Sequence, residues 1–92
     1  MNFTFTHKRA VMGNDITVSV TSDASRPITK LVIVLDGSKL SEETPTKPAT
    51  SMTRDFLRVG EAAPGKNHTL SAEAFTGDNK SEFGTAGWTD AV

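Results

Sequence analysis

The chain of 92 residues contains no cysteine, which excludes disulfides and thiolate metal sites as sources of stability. It also lacks a charge excess, because ten basic and eleven acidic side chains give a formal net charge of −1. Nucleic-acid-binding domains typically carry a basic surplus. The longest apolar run, residues 31–35, has five residues, whereas a membrane span requires about 20. The sequence therefore predicts no nucleic-acid partner and no membrane insertion.

Signatures of catalysis are also missing. The two histidines, His7 and His68, are not accompanied by a Gly-x-Ser-x-Gly motif. His68 shares the predicted inner face of Leu70, so we interpret it as a partly buried, hydrogen-bonded packing residue. A hydrolase would show a histidine beside a serine or a carboxylate in a cleft, and we expect none. No Asp-x-Asp-x-Asp-Gly loop occurs either, so the sequence predicts no enzymatic activity, no metal site and no cofactor.

What the sequence has in abundance is hydroxyl side chains, since 13 threonines and eight serines occupy 21 of its 92 positions. Threonine suits a half-buried strand, whereas serine, glycine and proline suit turns. Apolar and polar residues alternate most regularly over residues 16–21. Similar patterns predict strands over residues 2–6, 29–35, 68–76 and 81–88, with a short edge strand near residues 39–40. The inner faces of the central strands supply the predicted core: Ile16, Val18, Val20, Leu31, Ile33, Leu35, Leu70, Ala72 and Ala74.

Two segments are harder to interpret. Residues 12–15 combine glycine, asparagine and aspartate, which predicts a turn there. In residues 52–63, Met52, Phe56, Val59 and Ala63 have helical spacing, whereas the alternation around Leu57 is that of a strand. We favour a strand over residues 52–59 because its neighbours are strands, and the helix remains the alternative.

Residues 31–37, 65–74 and 77–81 resemble bacterial and phage immunoglobulin-like domains of fibronectin-type topology. The matching features are a β-branched strand that ends in Asp36-Gly37, and a later strand that starts with glycine and a Thr69-Leu70 pair. A glycine, aspartate and asparagine turn follows that strand. The resemblance implies an all-β fold, an immunoglobulin-like β-sandwich of six or seven antiparallel strands, with residues 1–92 as a single domain.

The resemblance further implies a non-catalytic structural or adhesive module. Because the chain opens on Met1 without an export signal, we expect a phage virion surface protein, either capsid-decorating or tail-associated. A module of a bacterial surface protein is the other expected setting, so the location is the virion or the cell surface. The partner would be a capsid or tail protein or a neighbouring domain. The candidate protein interface is Val32 and Val34 on the outer face of their strand, together with Phe75.

The alternative function is that of a small carbohydrate-binding module in a secreted enzyme or adhesin, with glycans as partners. Such modules stack sugars on exposed aromatic rings. The chain has one tryptophan and no tyrosine, which leaves Trp88 and Phe75 as the candidate carbohydrate platform. Packing is the more common use of so large a ring.

Overall fold

Seven strands account for most of the computed structural model, which describes residues 1–90. They are β1 (Asn2–Ala10), β2 (Gly13–Thr21), β3 (Ile28–Leu35), β4 (Ser38–Glu43), β5 (Ser51–Val59), β6 (Asn67–Thr76) and β7 (Ser81–Thr89). Across residues 1–90, no helix has the length and apolarity needed to cross a bilayer.

The strands form two sheets in which every neighbouring pair is antiparallel. One sheet has the order β1-β2-β5 and the other has the order β4-β3-β6-β7. The molecule measures 44 × 19 × 18 Å. Met1 lies beside Glu82 at the start of β7, whereas Asp90 follows the end of that strand, so these two residues lie at opposite ends of the long axis. The predicted sandwich of six or seven antiparallel strands is confirmed.

The core lies between the sheets and consists of the side chains that alternate inward. All nine residues of the predicted core are buried, with Ile28 and Met52 in addition. Phe3 and Phe5 of β1 pack against the same cluster. Each large apolar side chain that is withdrawn from water contributes about 1.5–3 kcal/mol to stability.

Residues 51–59 form a strand, so the helical alternative is wrong. Met52 and Phe56 point inward with strand periodicity, and a register shift against β2 then adds one residue to β5. The bulge is accommodated at Arg58, whose φ is 56°, so that the Val59 side chain again packs against the core. This β-bulge explains why the apolar positions mimic helical spacing.

The first hairpin turn lies at Val11-Met12, not at residues 12–15 as the sequence predicts. Gly13 and Asn14 already belong to β2, where they pair with Ala10 and Arg9. Gly13 is needed because the bulge brings the β5 backbone close to it. A Cβ added at Gly13 would lie 2.7 Å from the carbonyl carbon of Arg58. Glycine at this position therefore serves close approach between strands and does not form the turn.

We predict that Gly13→Ala destabilises the domain by about 1–3 kcal/mol, because neither backbone can move without disturbing the bulge. Gly77→Ala is the matched control, since its nearest contact would be an ordinary one of 3.8 Å to Thr29. The control should stay within about 0.5 kcal/mol of the wild type. Urea unfolding followed by Trp88 fluorescence measures both values. Equal stability of the two variants would show that the close approach of the Arg58 backbone does not exclude a Cβ at residue 13.

Candidate interaction face and the buried histidine centre

The outer face of the four-stranded sheet carries a diagonal row of apolar side chains. Val32 and Val34 project from β3, and Val32 lies opposite Glu73 of β6. Glu73 in turn lies opposite Phe83 of β7. Phe75 is two residues beyond Glu73 on the same face, which makes it a diagonal neighbour of both Val32 and Phe83. Phe83 has 66% of its surface exposed, and the other three apolar side chains are half-buried.

Charged groups border this row. The Lys30 ammonium lies 4.3 Å from the centre of the Phe75 ring, in a cation–π contact. Lys39 and Glu42 form an ion pair of 3.1 Å along β4, beside the two valines. Such exposed pairs contribute little stability. A further charge lies within the row, because Glu73 sits between Val32 and Phe83 and accepts a hydrogen bond of 2.7 Å from Ser81.

The outer face of the three-stranded sheet has the opposite character. Thr17 donates a hydrogen bond of 2.6 Å to Asp55, and the hydroxyls of Ser19 and Thr53 lie 3.1 Å apart. Leu57, next to the bulge, is 72% exposed at the margin of this face. Together with their neighbours on β1, these residues form a row of hydroxyl and acidic groups across the face: Thr4, Thr6, Thr17, Ser19, Thr53 and Asp55. Two cross-strand pairs of this face are therefore hydrogen-bonded to each other.

Trp88 and Phe75 lie on opposite faces of the four-stranded sheet. Trp88 is directly opposite His68, whose side chain points into the core, whereas Phe75 points outward. The Trp88 ring stacks on His7 at 4.5 Å and on His68 at 5.2 Å between ring centres. The predicted carbohydrate platform of Trp88 and Phe75 is therefore not assembled, because the alternation of side chains along the strands separates the two rings.

His68 is held between two carboxylates. Its side chain is fully buried, with Nδ1 at 2.7 Å from Asp36 and Nε2 at 2.9 Å from Asp90. While both carboxylates are ionised they can only accept hydrogen bonds, so both ring nitrogens then donate and the ring is an imidazolium. Neither nitrogen is left to act as a general base. His68 thus does contact carboxylates, but inside the core and not in a cleft.

The pKa values agree with this arrangement. Burial alone would lower the pKa of His68, but its hydrogen bonds to Asp90 and Asp36 outweigh burial and raise the pKa above 6.5. The hydrogen bond from His68 is the main cause that lowers the pKa of Asp90. Burial alone would raise the pKa of Asp36. Its hydrogen bonds with the Thr69 N–H and with His68 nevertheless keep that pKa below its ordinary value.

This histidine centre ties together four segments at one end of the sandwich. Asp36 and Gly37 have φ values of 50° and 81°, which are those of a tight hairpin turn between β3 and β4. Asp90 follows β7 and accepts a hydrogen bond of 3.0 Å from the backbone of Ala63, in the loop before β6. The sequence predicts that His68 packs and is hydrogen-bonded, but its partners lie 32 and 22 residues away and had no local signal.

The chain matches none of the protein-family models, and no curated protein matches its sequence. Among solved structures, it is similar to the fibronectin(III)-like modules of Clostridium thermocellum CbhA, with a TM-score of 0.54. The two are 16% identical in sequence, and the match covers 96% of this chain and 97% of that module. The fold is a fibronectin-type β-sandwich. Within residues 1–90 of this β-sandwich, no group of three or more His, Asp or Glu side chains could hold a metal ion.

We predict that the stability of this β-sandwich falls as the pH rises above neutral. The pKa of His68 is raised on folding, so its contribution is complete below the unfolded value of about 6.5. That contribution is lost as the pH passes through the raised folded pKa. Asp36 and Asp90 have lowered pKa values, so their contribution is lost instead when strong acid protonates them. Unfolding measured between about pH 1 and 10 should show both losses, the acid one below about pH 4.

Asp36→Asn separates this explanation from a general alkaline effect. The asparagine keeps the shape of the turn and removes one of the two charges, so the pKa of His68 should fall and the alkaline loss should start at a lower pH. His7→Gln is the control, because His7 stacks on Trp88 and has no such ion pair among the described contacts. An NMR titration that finds the His68 pKa unchanged in Asp36→Asn would contradict the charged centre.

Proposed function

We propose that this protein is a non-catalytic structural or adhesive module that binds a protein partner through the outer face of its four-stranded sheet. The observation that carries the proposal is the difference between the two outer faces. One consists mainly of hydroxyl and acidic groups, whereas the other carries the exposed Phe83 beside the half-buried Val32, Val34 and Phe75. Exposed apolar strips with a polar border are typical of interaction surfaces.

Two further observations support a role without catalysis. The sandwich uses nearly all of the chain, and its similarity to the CbhA module extends over 96% of it. That structure is described as a module, which suggests a part of a larger protein. The buried imidazolium of His68 has both nitrogens engaged, so it cannot exchange a proton without breaking the centre.

The setting that we propose is the surface of a particle or cell. A capsid-decorating or tail-associated virion protein and a module of a bacterial surface protein are its two forms. The rod shape supports both, because Met1 and Asp90 lie at opposite ends of a body 44 Å long. A module built in this way can project from a surface or follow a neighbouring domain. Antibodies against the chain should label particles released by lysis in the first case and intact cells in the second.

We predict that Val32→Lys weakens binding to the labelled particles or cells about tenfold or more, because it replaces an apolar contact in the interface with a long charged side chain between Glu42 and Glu73 of the neighbouring strands. Thr53→Lys is the matched control, since it adds the same charge to the outer face of the other sheet. Circular dichroism should show that both variants stay folded. Equal binding of the two variants, or no binding of the wild type, would refute the proposed interface.

Carbohydrate binding is tested with the same protein. Trp88 is the only tryptophan, and its ring already stacks on two histidines, so we predict no change in fluorescence with a panel of glycans. A saturable shift with any glycan would favour the carbohydrate-binding module instead.

A further inference from the structure

The two sheets end in four edge strands, and three of these are protected against pairing with another chain. β5 has its bulge at Arg58, and β4 has a register shift and the ion pair of Lys39 with Glu42. β1 carries Lys8 and Arg9 near its end. Bulges and charges are the usual means by which β proteins prevent association through their edges.

The fourth edge, β7, lacks these protections. It runs for nine residues in continuous register with β6, and its sequence holds no proline and no basic residue. Its one charged residue, Glu82, is engaged with Arg26 and with the amino group of Met1. A long, regular, nearly uncharged edge is a template for a further strand.

The register shows which residues of β7 offer their backbone to such a strand. Thr76 donates its N–H to Lys80, and Asp90 donates its N–H to Lys66, so these residues form hydrogen-bonded pairs at the two ends of the β6–β7 ladder. Such pairs alternate along an antiparallel ladder. The even-numbered residues of β7 therefore direct their N–H and C=O groups toward β6. The odd-numbered residues therefore direct N–H and C=O away from the sheet: Ser81, Phe83, Thr85, Gly87 and Thr89.

The same residues are complementary to a second copy of themselves. In an antiparallel pair centred on Thr85, that residue faces its own copy, and Phe83 of each strand faces Gly87 of the other. A threonine pair and an aromatic ring beside a cross-strand glycine are both favourable neighbours in sheets. The two copies of Glu82 lie far apart in this register, so no like charges meet.

We propose that β7 pairs with β7 of a second copy about a two-fold axis at Thr85, which joins the two four-stranded sheets into one of eight strands. The contact is isologous and closes at two copies. It extends the proposed function by naming a second copy as one partner of the module. It is independent of Val32, which lies on the sheet face and not at this edge.

Sedimentation tests the pairing. The wild type should show a concentration-dependent dimer between about 10 µM and 1 mM. Thr85→Pro removes an N–H that points out of the fold, so an edge strand should tolerate it while the dimer is lost. Thr85→Val keeps the N–H and should keep the dimer. A wild type that stays monomeric throughout, or a dimer that survives in Thr85→Pro, would overturn the proposal.

Single cysteines test the register, because the natural chain has none. In Thr85→Cys the two Cα atoms would lie about 5.5 Å apart, which suits a disulfide. In Thr89→Cys they would lie about 27 Å apart along the paired strands. Mild oxidation should therefore link Thr85→Cys at least tenfold faster than Thr89→Cys. Similar rates would indicate random collision and overturn the register.

Val32→Lys separates the two proposals. If the dimer forms and Val32→Lys leaves it unchanged, the edge pairing stands whatever becomes of partner binding at the outer face. If Val32→Lys dissolves the dimer, the copies associate through the sheet face, and the β7 pairing is wrong.

Discussion

The contact between the inward side chains of the two sheets is the interaction on which this molecule depends. Val18 and Val20 of β2 belong to one buried cluster with Leu31, Ile33 and Leu70 from the opposite sheet, all with almost no exposure. Burial of these side chains is the main favourable term in a chain that has no disulfide. It also has a geometric consequence, because each inward residue obliges its neighbour to face outward. The core therefore determines the composition of both outer faces.

The histidine centre brings charge into this apolar contact. A buried imidazolium is costly to desolvate, and two carboxylates with additional backbone donors offset that cost. Because Asp36 and Asp90 come from different segments, the ion group joins the end of the four-stranded sheet to the loop before β6. Trp88 covers the ring, and His7 brings the first strand against it. One end of the sandwich is thus held by charge, whereas its middle is held by hydrophobic burial.

The outer surfaces of this small β protein differ in how strongly they disfavour association with other chains. Hydroxyl ladders, bulges and ion pairs make most of the surface unattractive to other strands or apolar surfaces. Apolar side chains are exposed at the Val11-Met12 turn and at Leu57, whereas the outer row from Val34 to Phe83 and the regular edge of β7 belong to the four-stranded sheet. The proposed binding of a partner requires such features, since a surface that is protected everywhere has no place for a partner. The two features meet at Phe83, which belongs to both the row and the edge strand.

The alternation of apolar and polar residues along the sequence determined much of this structure. The period of two identified the central strands and their inner faces. Alternation is a property of neighbouring residues, so one sequence is enough to detect it. Only the tertiary structure decided the bulge at Arg58 and the two carboxylates on His68. Each of these depends on which residues of distant strands lie opposite one another, and that register is set by closing the sandwich and not by any local pattern.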